Sequence, residues 1–451
     1  MVQHPRRPRT LGLVPVVGLL AATMLSTGCS ADTPPGPTPP PSTSPPSVRD
    51  ITLSATPSAA AEQKRLATDF HAADVQPTGL YLPPRTPVTV GIARPSGAPV
   101  PELLIGTYGL DGTDQGEEEK PRARPLPDVT ATVSDDAGGM LYVRYTNDDR
   151  GEVPTITLHF GSAARPVPYH VLGRSPAADW RTRLAEATDV PVAQLVGEHV
   201  VLTVHLDSAR RNAGQDPDAL LNSYERILAV EDAISGLDGH DPHDRRSPLR
   251  YFVSEAKAGI NPNAYDDRVA YPSDAIDEAL NAEQLTKSWG IWHEFGHMHQ
   301  QSSWLWDSVI EVTVNIYSLA VQRDAARPTR LAEDGTPDAV RTYLALPAAK
   351  KDFNAPDADP FVQLTMFEQL RLAFGDRFYP DLHKLTRREE KASAPQQYFI
   401  LNASRVSGHN LLDFFTKWGL TITPQTRADV TALGLPAPDR DLTTLDFTKA
   451  P

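Results

Sequence analysis

The chain predicts an α+β fold in more than one domain, an N-terminal β-sandwich followed by a mainly α-helical domain. Three observations carry that expectation. Short β-prone runs separated by turn residues fill the stretch from Thr78 to Leu172, amphipathic helical patterns dominate from Ala177 onward, and one apolar helical pattern contains Trp292-His293-Glu294-Phe295-Gly296-His297. The first pattern is that of an antiparallel sandwich; the second is the 3.6-residue period of helices packed on a core.

The strands are expected at Val88 to Ile92, Glu102 to Tyr108, Val129 to Val133, Leu141 to Tyr145 and Thr155 to Phe160. Acidic Glu117 to Glu119 falls between runs and reads as a solvated loop. Helices are expected at Asp179 to Ala187, Asn222 to Ser235 and Ala275 to His299, with Val200 to His205 a strand among them. Helical patterns continue after Leu344 to about Trp418.

The start of the chain has a different character. Arg6, Arg7 and Arg9 precede an apolar run from Leu11 to Leu25, too short for a comfortable membrane span and typical of a secretory signal. Leu25-Ser26-Thr27-Gly28-Cys29 reads as a lipoprotein processing box with its leucine one place out. Cys29 is the single cysteine, so no internal disulfide can form, and its expected role is lipidation. Thr33 to Ser47 is mostly proline and cannot build a packed core, so it reads as a stalk. The expected organisation is a lipoprotein signal peptide at 1–29, a Pro-rich linker at 30–62, the sandwich at 63–175, a catalytic domain at 176–345 and its helical C-terminal part at 346–451. This places the protein outside the cell, as a bacterial cell-membrane lipoprotein whose only membrane contact is the lipid.

Composition narrows the function further. A net charge of −14 over 451 residues argues against nucleic acid, because binding phosphates takes clustered Lys and Arg. The chemistry is concentrated in His293-Glu294-x-x-His297, where two imidazoles four residues apart share a helix face and can hold one metal ion, with Glu294 beside them as general base. That is the HExxH pattern of zinc peptidases, and the expected cofactor is Zn2+.

A catalytic zinc takes three protein ligands, and two carboxylates, Asp307 and Glu311, follow on the next apolar stretch. Glu311 is preferred, because its segment reads as a buried helix in which an unpaired carboxylate would be costly. Asp307 and Asn315 lie one turn either side of it and are expected to support the ligands, as is Gln300, which falls near the face of His293. The alternative puts Asp307 on the metal with Glu311 behind it. The metzincin extension is absent, since Gln300 and Ser303 stand where it needs Gly and His. Gly296 is expected to leave the metal side uncrowded. For the oxyanion donor the candidates are Tyr265, Tyr271 and His299.

The motif His293-Glu294-Phe295-Gly296-His297-Met298-His299-Gln300, with Glu311-Val312-Thr313-Val314-Asn315-Ile316, resembles the enhancin-like, mucinase-type zinc metallopeptidases of the glutamate-zincin kind. Weaker echoes are Thr78-Gly79-Leu80-Tyr81, Tyr271-Pro272, Phe361 to Phe378 and Asn410 to Gly419. The resemblance implies a zincin-type catalytic domain, His293, His297 and Glu311 as ligands, Glu294 as base, and glycoproteins such as mucins as substrates. The chain leaves no room for the separate carbohydrate-binding modules of many such proteins. The rival expectation is a surface lipoprotein that binds glycans or proteins and catalyses nothing.

Overall fold

The computed structural model describes residues 49–113, 120–149 and 154–449. The signal segment, Cys29, the proline-rich stretch and Glu117 to Glu119 lie outside the described residues.

Nine strands come first: β1 (Asp50–Leu53), β2 (Gln76–Leu82), β3 (Val88–Ala93), β4 (Glu102–Ile105), β5 (Arg122–Pro125), β6 (Thr130–Val133), β7 (Gly139–Arg144), β8 (Ile156–Phe160) and β9 (Arg165–Pro166). They form a four-stranded sheet ordered β1-β8-β3-β6 and a five-stranded sheet ordered β5-β4-β7-β2-β9. Every pairing in the two sheets is antiparallel. Leu53, Val88, Val90, Leu158 and Phe160 from one sheet meet Leu80, Leu103, Ile105, Leu141 and Val143 from the other in a shared core. This is the expected sandwich, and it begins earlier than the linker boundary at 62 allows. Asp50–Leu53 pairs along β8, and a helix, Ala59–Leu66, follows it.

Burial on two sides explains why β4 and β7 of the five-stranded sheet read as apolar runs rather than as alternation. Leu103, Ile105, Leu141 and Val143 face the sandwich core, whereas Leu104, Met140 and Tyr142 point the other way into a second core with Val192, Val201 and Phe252. A strand buried on both faces has no polar side to show.

That second core is closed by a six-stranded sheet: β10 (Tyr169–Val171), β11 (Val192–Val196), β12 (Val200–His205), β13 (Tyr251–Ala256), β14 (Asn263–Tyr265) and β15 (Arg268–Pro272), in the order β10-β11-β12-β13-β15-β14. The catalytic region is thus mixed α/β, and only β12 was legible in the sequence. β12, β13 and β15 run parallel, while the short β14 pairs antiparallel with β15 at the edge. The far face of this sheet packs on helices through Leu195, Leu202, Val253, Tyr224, Trp292 and Phe295.

The helix expected over Ala275 to His299 is broken into Ile276–Ala279, Ala282–Leu285 and Trp289–His297. Asn281 and Ser288 stop and restart it, their side chains accepting from the first free amides of the two later pieces. Trp292 bridges the break by donating its indole N–H to Leu285 O at 2.8 Å. The helix Ile310–Asp324 lies against Trp289–His297, and behind it Val312, Ile316, Phe367, Phe399 and Trp418 share the core of the C-terminal helices.

Gly296 faces this helix pair rather than the metal side. A Cβ there would stand 2.6 Å from Val314 O and 3.0 Å from Val314 Cγ2, so the glycine is what lets the two helices approach. Gly296→Ala gains about 1 kcal/mol of helix propensity but forces a backbone collision whose typical cost is about 1–3 kcal/mol. The expected outcome is a lower urea midpoint; a midpoint equal to or above wild type would refute the close-approach argument.

Candidate metal and catalytic site

Two helices and the edge of one sheet build the site. His293 and His297 project from one face of Trp289–His297, their rings 4.8 Å apart and nearly perpendicular. Glu311, in the first turn of Ile310–Asp324, places Oε2 3.1 Å from His293 Nε2 and 3.6 Å from His297 Nε2. Ligand atoms of these three residues all lie within 4.8 Å of one another, and no other such trio of acid or imidazole groups occurs among the described residues. Asp307 is not part of it.

The other ring nitrogens are committed. His293 Nδ1 lies 2.8 Å from Asn315 Oδ1, and His297 Nδ1 lies 2.8 Å from Gln300 Oε1. The amides cannot be turned over without loss, because Asn315 Nδ2 donates to Glu311 O, and Gln300 Nε2 donates to Ile310 O and Thr313 Oγ1. Each imidazole therefore donates from Nδ1 and aims Nε2 at Glu311: a protonated Nε2 donates to the carboxylate, and a deprotonated one offers its lone pair to a metal ion. With two such lone pairs and a carboxylate converging, the donor set fits a zinc ion.

Glu311 differs from the expectation in one respect. Its side chain is 46% exposed, because it opens the helix at the cleft while the helix buries from Val312 onward. Burial raises its carboxyl, but hydrogen bonds from His293 and His297 outweigh that and hold it well below the usual range. Burial opposes charge on His293, yet the Glu311 and Glu294 carboxylates hold its pKa up at about 9. Glu294 is buried beside the two histidines, and desolvation pushes its carboxyl up against the opposing charges of His293 and His297.

Asp307 does not support the ligands. It sits exposed in the 3-10 turn Asp307–Val309, and since the α-helix starts only at Ile310, Asp307 is not one helical turn behind Glu311. Two of the oxyanion candidates also point elsewhere. Tyr271 donates to Glu278 Oε2 at 2.8 Å, and His299 faces away into a buried ionic cluster with Asp232. Tyr265 is exposed on edge strand β14, its ring 6.1 Å from that of Phe70, which in turn lies 6.3 Å from His297.

Sequence reasoning missed several residues around the cleft. Phe70 arrives on a segment whose Asp69 N–H donates to Gln300 O and whose Ala67 O accepts from Ser302 N–H, so a stretch far away in sequence is stitched beside His297. Trp289 stands one turn before His293, and the Arg330 guanidinium lies 4.9 Å over its ring and 4.8 Å over that of Phe361. The helical spacing of Trp289 to His293 was a usable signal; nothing local marks Phe70 or Arg330. Trp304 is core, and Trp306 is tied to Asn354 Oδ1.

The family described as peptidase M60, enhancin and enhancin-like, matches residues 163–419, and the N-terminal domain of M60-like peptidases matches residues 57–159. A conserved protein of unknown function from Bacillus anthracis has a similar crystal structure, with 31% identity and a TM-score of 0.78 over 88% of this chain and 81% of that one. The ZmpB metallopeptidase from Clostridium perfringens shares the fold at 19% identity, with a TM-score of 0.74 over 88% of this chain and 82% of that one. A TRPM8 channel-associated factor homolog from Xenopus laevis is 24% identical over 378 residues, 79% of this chain, which spans only 39% of that relative's length. With one family description covering more than half of its length, the chain belongs to the enhancin-like M60 peptidases, a metallopeptidase family.

Proposed function

We propose that the chain is a zinc-dependent endopeptidase that hydrolyses peptide bonds in glycoproteins outside the cell. The observation that carries this reading is the convergence of His293 Nε2, His297 Nε2 and Glu311 Oε2, with both Nδ1 hydrogens already spent on Asn315 and Gln300. Zinc held by these three residues would supply Lewis acidity toward the scissile carbonyl and lower the pKa of water toward roughly 7. Glu294 is the general base: its buried carboxylate takes the proton of the attacking water and hands it to the leaving amine. Desolvation suits it to that exchange, because it raises its affinity for the proton it must briefly hold. Tyr265, on the edge strand beside the cleft, is the oxyanion donor this reading favours.

The glycoprotein part rests on a structural neighbour and on one aromatic face. One structural neighbour, the M60 catalytic domain of ZmpC from Clostridium perfringens, was solved in complex with the sialyl T antigen. In this chain the partly exposed Trp289 ring, backed by Arg330 and Phe361, offers an aromatic face one turn from His293 on which a sugar can stack. Lipidation at Cys29 would hold the enzyme at the membrane. Among the described residues no helix is long and apolar enough to cross one.

Three outcomes are expected. Glu294→Gln lowers kcat on a mucin-type glycopeptide by about 10²–10⁴-fold with zinc retained; zinc-loaded wild type that cleaves no glycoprotein or peptide in mass-spectrometric assays, yet binds glycans, would instead establish the non-catalytic alternative. Asn315→Leu weakens zinc by about 10–100-fold, read by competition with a chromophoric chelator, and an unchanged affinity would dismiss the role given to that amide. Trp289→Ala raises KM for the glycosylated peptide by roughly 2–10-fold more than for its bare counterpart; equal effects on both would remove the sugar platform.

A further inference from the structure

Directly behind the metal helix lies a buried ionic cluster that the hydrolytic reading does not use. Helix Pro217–Ile234 presents Glu231 and Asp232, which are 0% and 5% exposed, to His299, which is 3% exposed. His299 Nε2 is 3.2 Å from Asp232 Oδ1, and its Nδ1 is 3.2 Å from Glu231 Oε2 and 3.0 Å from Phe295 O. Asp232 is also bound by the Arg246 guanidinium. The main-chain carbonyl of His299 accepts from Tyr317 Oη at 2.8 Å, and Tyr317 lies on helix Ile310–Asp324, which carries Glu311. Tyr317 Oη is in turn 2.8 Å from His383 Nε2, on helix Phe378–Thr386.

Such a cluster does little for stability as such, because desolvating ions roughly cancels their attraction, and an apolar core of the same shape holds as well or better. What it does is fix position. Trp289–His297 is a helix of nine residues whose last carbonyls have no partner within it. His299 Nδ1 reaches one of them, Phe295 O, which also accepts from the Met298 N–H, and through its own ring and carbonyl His299 ties that helix end to Asp232 on one side and to the Glu311 helix on the other. The two helices that must bring His297 and Glu311 to one point are thereby pinned within a turn or two of both.

We propose that His299 is a positioning residue for the metal centre, acting with Asp232 and Tyr317 as a buried latch that sets the approach of His297 to Glu311. This rests on the metal reading above. The test is Co2+ binding to the purified protein, read as the dissociation constant and the visible d–d spectrum, together with thermal unfolding. His299→Leu and Asp232→Asn are each expected to weaken Co2+ by about tenfold, the low end for groups that orient ligands, and to shift the spectrum. The double variant should lose little more than either single one. Leu158→Ala, in the separate sandwich core, serves as a destabilised control with affinity and spectrum unchanged. If His299→Leu does not fold, His299→Gln and Asp232→Asn carry the same readouts. Variants that lose stability like the control while keeping wild-type affinity and spectrum overturn the latch. Wild type that binds no Co2+ overturns the metal reading itself.

Discussion

Two imidazoles can aim at one carboxylate only if their other nitrogens are held, and in this protein side-chain amides do the holding. Asn315 fixes His293 and Gln300 fixes His297, and each amide is itself anchored by its nitrogen on a backbone carbonyl of the helix that carries Glu311. The ligand set and the helix pairing are therefore one structure. Moving Ile310–Asp324 would displace Glu311 and release both imidazoles together, because all three connections run through it. Gly296 and Val314 set how close that helix comes.

The architecture around this pair explains how a short helix can be rigid. Trp289–His297 is held at its start by Ser288 and the indole of Trp292, along its length by the six-stranded sheet, and at its end by His299. The sandwich contributes at one remove: its five-stranded sheet is buried on both faces and so couples the N-terminal strands to the sheet that lies under the catalytic helices. The segment between the first helix and β2 goes further, because it places Phe70 beside His297. A boundary drawn at residue 62 or 63 separates chain from function less cleanly than composition suggests.

The electrostatics divide the same way. At the cleft, Glu311 is half open to solvent and its low proton affinity comes from two histidines, which suits the ligand role proposed for it. Glu294 is buried and drawn the other way by desolvation, which fits the general-base role proposed for it. Two carboxylates lie beside the same pair of imidazoles, burial raises both, and the direct hydrogen bonds that the histidines make to Glu311 separate their behaviour.

What the sequence by itself determined is what local geometry dictates. Four-residue spacing puts His293 and His297 on one helix face, β-prone runs between turn residues mark five of the sandwich strands, and an apolar stretch marks the helix that carries Glu311. Tertiary structure decided what depends on which faces meet. Asp307 and Asn315 are symmetrically placed in sequence, but the helix begins at Ile310, so only Asn315 reaches an imidazole. His299 looked like a donor for the reaction, and packing against Glu231 and Asp232 turned it to the back. Most strands of the six-stranded sheet, and the arrival of Phe70 and Arg330, had no periodic signature, because strands buried on both faces lose their alternation and contacts between distant segments leave no local trace.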